Sequence, residues 1–312
     1  MTRVSIVIPA LADTALLTRS LPPLLDELEL RQADDEIVVV DDSGDGLLAT
    51  WMGEQHPTVR VLTQASNGGF GSALLAGARE AGCDLMFAMN PDVIVRPGFL
   101  DPLVNALLDP SVFAVSPRVL LDGDESRPES HNLLTFEDGR LQIVPRDFSV
   151  DPEAERPVPF CVGGAFLVRR EEFLEGEGFD PLFEPFYWED VDLCLAAWRR
   201  GRRVLEVPLS VVEHHHRGTI GACVPEELVT AAIEKNRLLL FWKYLDTKRD
   251  AHDHLACLWR DALDAAMAGR REELVWLALA LQELPRVNRS RESLPRGERS
   301  LEQVLRESDP IG

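Results

Sequence analysis

Short apolar runs punctuate the first third of the chain, each followed by a stretch with helical spacing. VSIVIP (4–9) has almost no polar positions, the pattern of a strand buried on both faces of a parallel sheet. Leu17, Leu21, Leu24, Leu25 and Leu28 then recur at helical spacing, and Pro22-Pro23 within that stripe predicts a late start or a kink. EIVVV (36–40), VRVLT (59–63), DLMFAM (84–89) and VFAVSP (112–117) repeat the strand pattern. Between them lie the small-residue helix SALLAGAREAG (72–82) and a helix near 98–108. Repeated βα units predict an α/β protein with an open, doubly wound, mainly parallel sheet, whose ligands bind beyond the carboxyl ends of the strands.

The pattern then changes. From 122 to 159 the chain is rich in Pro, Asp, Glu and Arg with weak periodicity, which predicts a long connection serving as a lid or acceptor-facing segment. FCVGGAFLVRR (160–170) reads as a strand interrupted by Gly163-Gly164. In WEDVDLCLAAWRRG (188–201), Val191, Cys194, Leu195 and Trp198 form a helical stripe that stops at Gly201. RVLEVP (203–208) is a further strand, followed by EHHHRGT (213–219). Beyond Pro225 the spacing is helical to about Leu284, then polar and frayed. The expected organisation is one α/β domain over 1–224 and a helical extension over 225–312, packed on that domain, paired with a second copy or touching a membrane.

Charge narrows the partners. With 32 basic and 53 acidic residues the net charge is −21, which repels nucleic acid and opposes broad adsorption to anionic lipid. A phosphate-bearing substrate would need local neutralisation by a metal ion or a few aimed cations. Five scattered cysteines without a C-x-x-C read as reduced thiols in a cytoplasmic protein. Met1-Thr2-Arg3 leads straight into a strand, and no apolar run approaches the ~20 residues of a membrane span.

Several polar clusters fall at the predicted strand ends. In Asn90-Pro91-Asp92, Asp92 is suited to a hard divalent cation and Asn90 to sugar or phosphate, although the tripeptide reads equally as a turn. Asp41 and Asp42 suit a nucleobase or ribose, or simply build a turn with Ser43 and Asp45. Asn67-Gly68-Gly69-Phe70-Gly71 offers close backbone approach at a helix start. Glu189-Asp190 opens a helix, where the dipole alone favours acids. The aromatic lead-in FEPFYW adds a sugar-binding platform at Tyr187 and Trp188, with Asp190 as a proton-abstracting base. His214 and His216 share one strand face and could point together at a metal, with Arg217 beside them for phosphate.

Taken in this order, VSIVIP, VVVDDSGDG, NGGFGSALLAG, MNPDVIV, GGAFLVRRE, FYWEDVDLCLAAWRRGRRVLEVP and EHHHRGT resemble glycosyltransferase family 2, in its rhamnosyltransferase-like branch of bacterial surface-polysaccharide synthesis. The resemblance covers roughly residues 3–220. It implies a GT-A fold with a nucleotide-sugar half at about 1–120 and an acceptor half at about 121–224. It also implies inverting transfer from a dTDP- or UDP-linked sugar, rhamnose among the candidates, to a hydroxyl of a glycan or lipid-linked acceptor, with Mg²⁺ or Mn²⁺. The implied donor residues are Pro9, Asp41, Asp42, Asn67, Gly69, Phe70, Asn90 and Asp92. The implied metal ligands are Asp92, His214 and His216. Asp190 would be the base beside Glu189, and Gly163, Gly164, Tyr187 and Trp188 would meet the acceptor. Such an enzyme is expected in the cytoplasm, at the inner face of the plasma membrane, with a homodimer through the C-terminal helices as one arrangement. The chain departs from the family pattern at Ala12, where Asn is usual, at the short turn DDSGDG, and at Leu75, also usually Asn. A nucleotidyltransferase would need a Gly-rich basic loop where this chain has PALADT, and a catalytically silent donor-binding homologue is the other alternative.

Overall fold

The computed structural model describes residues 2–145, 153–215, 224–294 and 299–309. Strand β1 (Val4–Ala10) is buried at every position. It pairs in parallel with β2 (Glu36–Asp41) and β4 (Leu85–Met89), and β2 pairs in parallel with β3 (Arg60–Thr63). The apolar run needs no alternation because both faces are covered. Ile6 and Ile8 enter one core with Leu17 and Leu21, while Val7 enters the other with Leu74 and Ala78. Helices α1 (Thr14–Arg31), α2 (Leu47–Gln55) and α3 (Phe70–Glu80) connect these strands. The small residues of α3 allow a close approach: a Cβ on Gly77 would lie 2.3 Å from the Val7 side chain. Contrary to the expected late start or kink, α1 runs unbroken from Thr14 through Pro22 and Pro23.

Beyond β4 come β5 (Val93–Val95), α4 (Leu100–Ala106) and β6 (Val112–Leu121). The sheet continues from β4 through β11 (Ala165–Arg169) to β6 and then β12 (Arg203–His214). Strand β11 is antiparallel to both neighbours, and β12 is parallel to β6. Strands β1, β2, β3, β4, β6 and β12 therefore run one way and β11 is reversed between β4 and β6, giving a mixed but mostly parallel sheet flanked by helices. Strand β12 is longer than RVLEVP suggested and carries the chain as far as His214.

The segment expected to be a structureless connection is largely strand. After β7 (Asp124–Pro128), strands β8 (Asn132–Glu137) and β9 (Arg140–Pro145) form an antiparallel hairpin, and β10 (Arg156–Pro157) joins β12. The hairpin turns at Asp138-Gly139, both with positive φ (50° and 79°). Asp-Gly is the residue pair that such a two-residue turn selects.

Helix α5 (Arg170–Glu175) follows β11, and α6 (Glu189–Arg199) precedes β12. Among the described residues the α-helices that follow are α7 (Glu226–Tyr244), α8 (Lys248–Ala268), α9 (Glu272–Gln282), α10 (Leu284–Ser293) and α11 (Leu301–Glu307). Helix thus extends well beyond Leu284, because Val287, Leu301 and Val304 find burial in the main core. Leu238, Leu239, Leu240, Phe241 and Tyr244 of α7 share that core with Trp198 and Phe183.

Candidate active site

Asp41 and Asp42 end β2 side by side but hold different things. Asp41 is fully buried, and its Oδ1 accepts from the Ser43 amide (3.1 Å) and hydroxyl (2.6 Å). Asp42 accepts from the Gly68 and Gly69 amides at 2.9 Å each, so one carboxylate ties the strand end to the glycine loop. Burial raises the Asp42 carboxyl above its ordinary range, against the pull of those two amides. Asn67 Oδ1 also accepts from the Gly69 amide (2.9 Å), and Gly69 adopts φ +80°, a conformation glycine takes at little cost, just before α3 starts at Phe70. Phe70 stacks on Phe179 with centroids 5.8 Å apart. Pro9 lies buried in β1, in register with Val40. Ala12, where Asn was expected, has φ 55°. That left-handed conformation is one in which Asn is favoured over Ala.

Across the crevice, Gly163 and Gly164 join two predicted motifs. The Asn90 amide donates to the Gly164 carbonyl (2.8 Å), and the Gly163 amide donates to Asp190 Oδ2 (2.9 Å). A Cβ on Gly164 would sit 2.2 Å from the Asn90 side-chain amide, and one on Gly163 would sit 3.0 Å from Asp190 Oδ2. The end of β4 and the start of α6 are thus pressed against a strip of backbone that carries no side chain.

Asp190 also accepts from the Val191 amide (2.8 Å). Burial, opposed by the Val191 and Gly163 amides and reinforced by the Glu129 charge, raises its carboxyl to about 6. Burial and then the neighbouring Asp190 charge raise Glu189 to about 8. Burial thus favours a proton on this pair, with Glu189 raised further than Asp190. Glu189 Oε2 is buried without a hydrogen-bond partner.

The turn before α6 is strained, with Tyr187 (φ 73°) and Trp188 (φ 76°) both left-handed. Helix α7 holds it. Asn236 Nδ2 lies 2.6, 2.9 and 3.0 Å from the carbonyls of Phe183, Phe186 and Tyr187. Lys235 donates to the Glu184 carbonyl at 2.8 Å. Lys243 bridges Asp180 and Asp192 at 2.8 Å each, and Tyr244 donates to the Asp192 carbonyl at 3.0 Å. This turn also corrects the expected aromatic platform. Trp188 is only 7% exposed and belongs to the core, whereas Tyr187 is 39% exposed. Sequence reading missed Asn236 and Lys243 altogether. Their one trace was a polar side chain within the apolar run of α7.

Asp92 is buried at the turn into β5, and the His215 amide donates to its carbonyl at 3.2 Å. His214 Nε2 lies 3.4 Å from Asp92 Oδ1, and its Nδ1 lies 2.6 Å from Glu129 Oε2. Burial alone would lower the His214 imidazole, but the two carboxylates push it up to about 10. Glu129 is a third residue that sequence reading missed, hidden in the segment taken for a connection. His215 turns to Asp122, at 3.3 Å. His216 and Arg217 lie outside the described residues. Among the described residues no group of three or more His, Cys, Asp and Glu is assembled as a metal cluster. The buried Asp92 carboxylate is a hard oxygen donor that fits a divalent cation, and such a cation would take the place of the proton that His214 holds between Asp92 and Glu129.

A family model described as glycosyl transferase family 2 matches residues 5–175, more than half of the chain. The chain belongs to glycosyl transferase family 2. Over 239 residues it is 26% identical to polypeptide N-acetylgalactosaminyltransferase 10 of Homo sapiens, covering 71% of this chain and 40% of that protein. Over 193 residues it is 28% identical to the N-acetylglucosaminyl-diphospho-decaprenol L-rhamnosyltransferase of Mycobacterium tuberculosis, covering 54% of this chain and 62% of that protein. The match thus spans about 40% of the length of the N-acetylgalactosaminyltransferase. Among solved structures, GalNAc-T7 with UDP, GalNAc and Mn²⁺ superposes with a TM-score of 0.63 at 20% identity, covering 79% of this chain and 48% of that one. Family membership and this superposition together make the fold a GT-A one.

Proposed function

We propose that this family 2 chain is an inverting glycosyltransferase that moves a sugar from a dTDP- or UDP-linked donor to a hydroxyl of a glycan or lipid-linked acceptor. The observation that carries the reading is the Gly163-Gly164 bridge, which holds Asp190 beside the Asn90-Pro91-Asp92 turn. Asp190 takes the proton of the acceptor hydroxyl as its oxygen attacks the anomeric carbon, and the nucleoside diphosphate departs from the opposite face. Burial and the Asp190 charge raise Glu189, which disfavours a second negative charge beside the base. Asp41, Asp42 and the Asn67–Phe70 loop form the donor side, and the exposed ring of Tyr187 is available to the acceptor sugar. Asp92 and His214, with His216, would hold a Mg²⁺ or Mn²⁺ ion, which supplies charge neutralisation at the diphosphate when bound. Rhamnose is the sugar suggested by the likeness to the mycobacterial rhamnosyltransferase.

The test is a panel of UDP- and dTDP-sugars, each with Mg²⁺ or Mn²⁺, read first by thermal shift and then by release of free nucleoside diphosphate. A donor that raises the melting temperature and is hydrolysed or transferred supports the reading. Donor binding without any turnover would identify a silent homologue, and no binding by any donor would overturn the proposal.

A further inference from the structure

Helix α8 is docked by one face only. On that face His254 Nδ1 lies 2.7 Å from the Gly139 carbonyl, His254 Nε2 accepts from Trp242 (2.9 Å), and Cys257 Sγ meets Arg140 (3.1 Å). The opposite face carries Leu255 (55% exposed), Trp259 (62%), Leu263 (55%) and Met267 (86%), four large apolar side chains spaced four residues apart. No described residue covers them. On the next helix, Val275 and Leu279 are also exposed, one turn apart.

The charges on α8 are sorted to match. Helical geometry places Leu255, Trp259, Leu263 and Met267, with Ala256, Ala262 and Ala266, in an arc of about 140°. Every ionisable residue within that arc is basic or His (Lys248, Arg249 and His252), and Arg260 lies at its edge, about 20° beyond. The four acids of the helix, Asp250, Asp253, Asp261 and Asp264, all fall outside it. Arg249 and Arg260 have only loose ion pairs, at 3.9 Å with Asp253 and 3.8 Å with Asp261. In a chain of net charge −21, an exposed face that is apolar and cationic reverses the sign of the whole.

We propose that this face of α8 is a docking surface for an anionic lipid bilayer, lying in the interfacial plane with Trp259, Leu263 and Met267 in the headgroup and upper acyl region. An amphipathic helix with basic residues beside a Leu/Trp/Met stripe has the chemistry for that position. A second copy of the chain fits less well. A two-fold interface would set the same cations against each other while bringing together two bodies of like net charge. The acidic remainder of the molecule is repelled by such a surface only within roughly 10 Å, the screening length at physiological salt, so it permits one closely apposed face. The proposal does not depend on the transferase reading, since it concerns lipid alone.

The experiment floats the full chain with vesicles of phosphatidylcholine, or of phosphatidylcholine with phosphatidylglycerol, without donor. Binding is expected to the phosphatidylglycerol vesicles and to weaken as salt rises. The Trp259→Ser/Leu263→Ser variant should bind at least about tenfold more weakly, by loss of buried apolar area. The Arg249→Glu/Arg260→Glu variant should lose the preference for phosphatidylglycerol. Both should keep the thermal melt and the donor-dependent thermal shift of the parent. Absence of vesicle binding, or equal binding by the Trp259→Ser/Leu263→Ser variant, would overturn the proposal. So would a dimer by light scattering that this variant converts to monomer without any vesicle binding, because the occupant would then be a second copy.

Discussion

Two acidic turns lie at different ends of the chain's pattern, and each is secured differently. The Asp41-Asp42 turn is held by groups from its own βα units: Ser43 next to it, and Gly68 and Gly69 at the end of the adjacent strand. The turn that leads into Glu189 and Asp190 is held by Asn236, Lys243 and Tyr244, about fifty residues further along on α7. The donor side is a self-contained product of local pattern. The base side exists only once a distant helix has docked. Damage to α7 should therefore reach the chemistry at Asp190 while leaving the donor loops intact.

The largest expected effect is at Asp190 itself. Asp190→Asn should lower transfer by about 10²–10⁴-fold, the range attributed to a general base, with donor affinity unchanged. Initial rates alongside calorimetric donor titration would check this, and near-normal turnover would remove Asp190 from the role.

Asn236→Leu comes next, and it breaks the base side only. Three carbonyls before α6 lose their donor, which costs about 1–3 kcal/mol in chemical denaturation. The expected signature is a fall in kcat with donor Kd unchanged, whereas Asp42→Asn should do the reverse. Equal effects on both parameters in both variants would dissolve the contrast between the two turns.

Gly164→Ala should destabilise by about 1–3 kcal/mol through the clash with Asn90, again read by denaturation.

The pH dependence follows from the sign of the Asp190 shift. Its carboxyl is raised to about 6 from the ordinary value of 3.8, so the folded state holds this proton more tightly than the unfolded chain does. Stability is thus lost as pH rises through that window, and the whole penalty is present above pH 6. Asp190→Asn should be more stable than the parent at pH 8 in chemical denaturation, and the gain should vanish at about pH 3.5, below the unfolded-state carboxyl. In the parent, kcat/KM should fall below about pH 6 as the base takes up its proton.

The smallest effect lies on the donor side, where Ala12→Asn relieves a left-handed Ala and should stabilise by about 0.5–1 kcal/mol.

The same contrast sets what the sequence could show. Strand-end loops were legible because buried parallel strands announce themselves as apolar runs, and the loops after them inherit their place. Asp41, Asp42, Asn67, Asn90 and Asp92 were all located this way. Glu129 was not, because β7 and β8 alternate too weakly to be separated from a loop, and the Asp138-Gly139 turn was the cue passed over. Asn236 escaped for a different reason: its partners are backbone carbonyls far away in sequence, and no local pattern reports those. Trp188 was misplaced because an aromatic lead-in looks alike whether its ring faces sugar or core. Only the backbone twist at Tyr187 and Trp188 decides which ring turns outward.

The glycine pair at 163 and 164 acts as a ruler. The amide that meets Asp190 and the carbonyl that meets Asn90 belong to adjacent residues, so the two motifs are separated by backbone, within about 7 Å of chain. Side chains adapt by changing rotamer, but this strip has none to change. A bulkier acceptor or donor cannot be accommodated by sliding the base away from the Asn-Pro-Asp turn. On the proposed reading, changes of specificity fall to the rim, around Tyr187 and the Asn67–Phe70 loop, while the span between the two motifs stays constant.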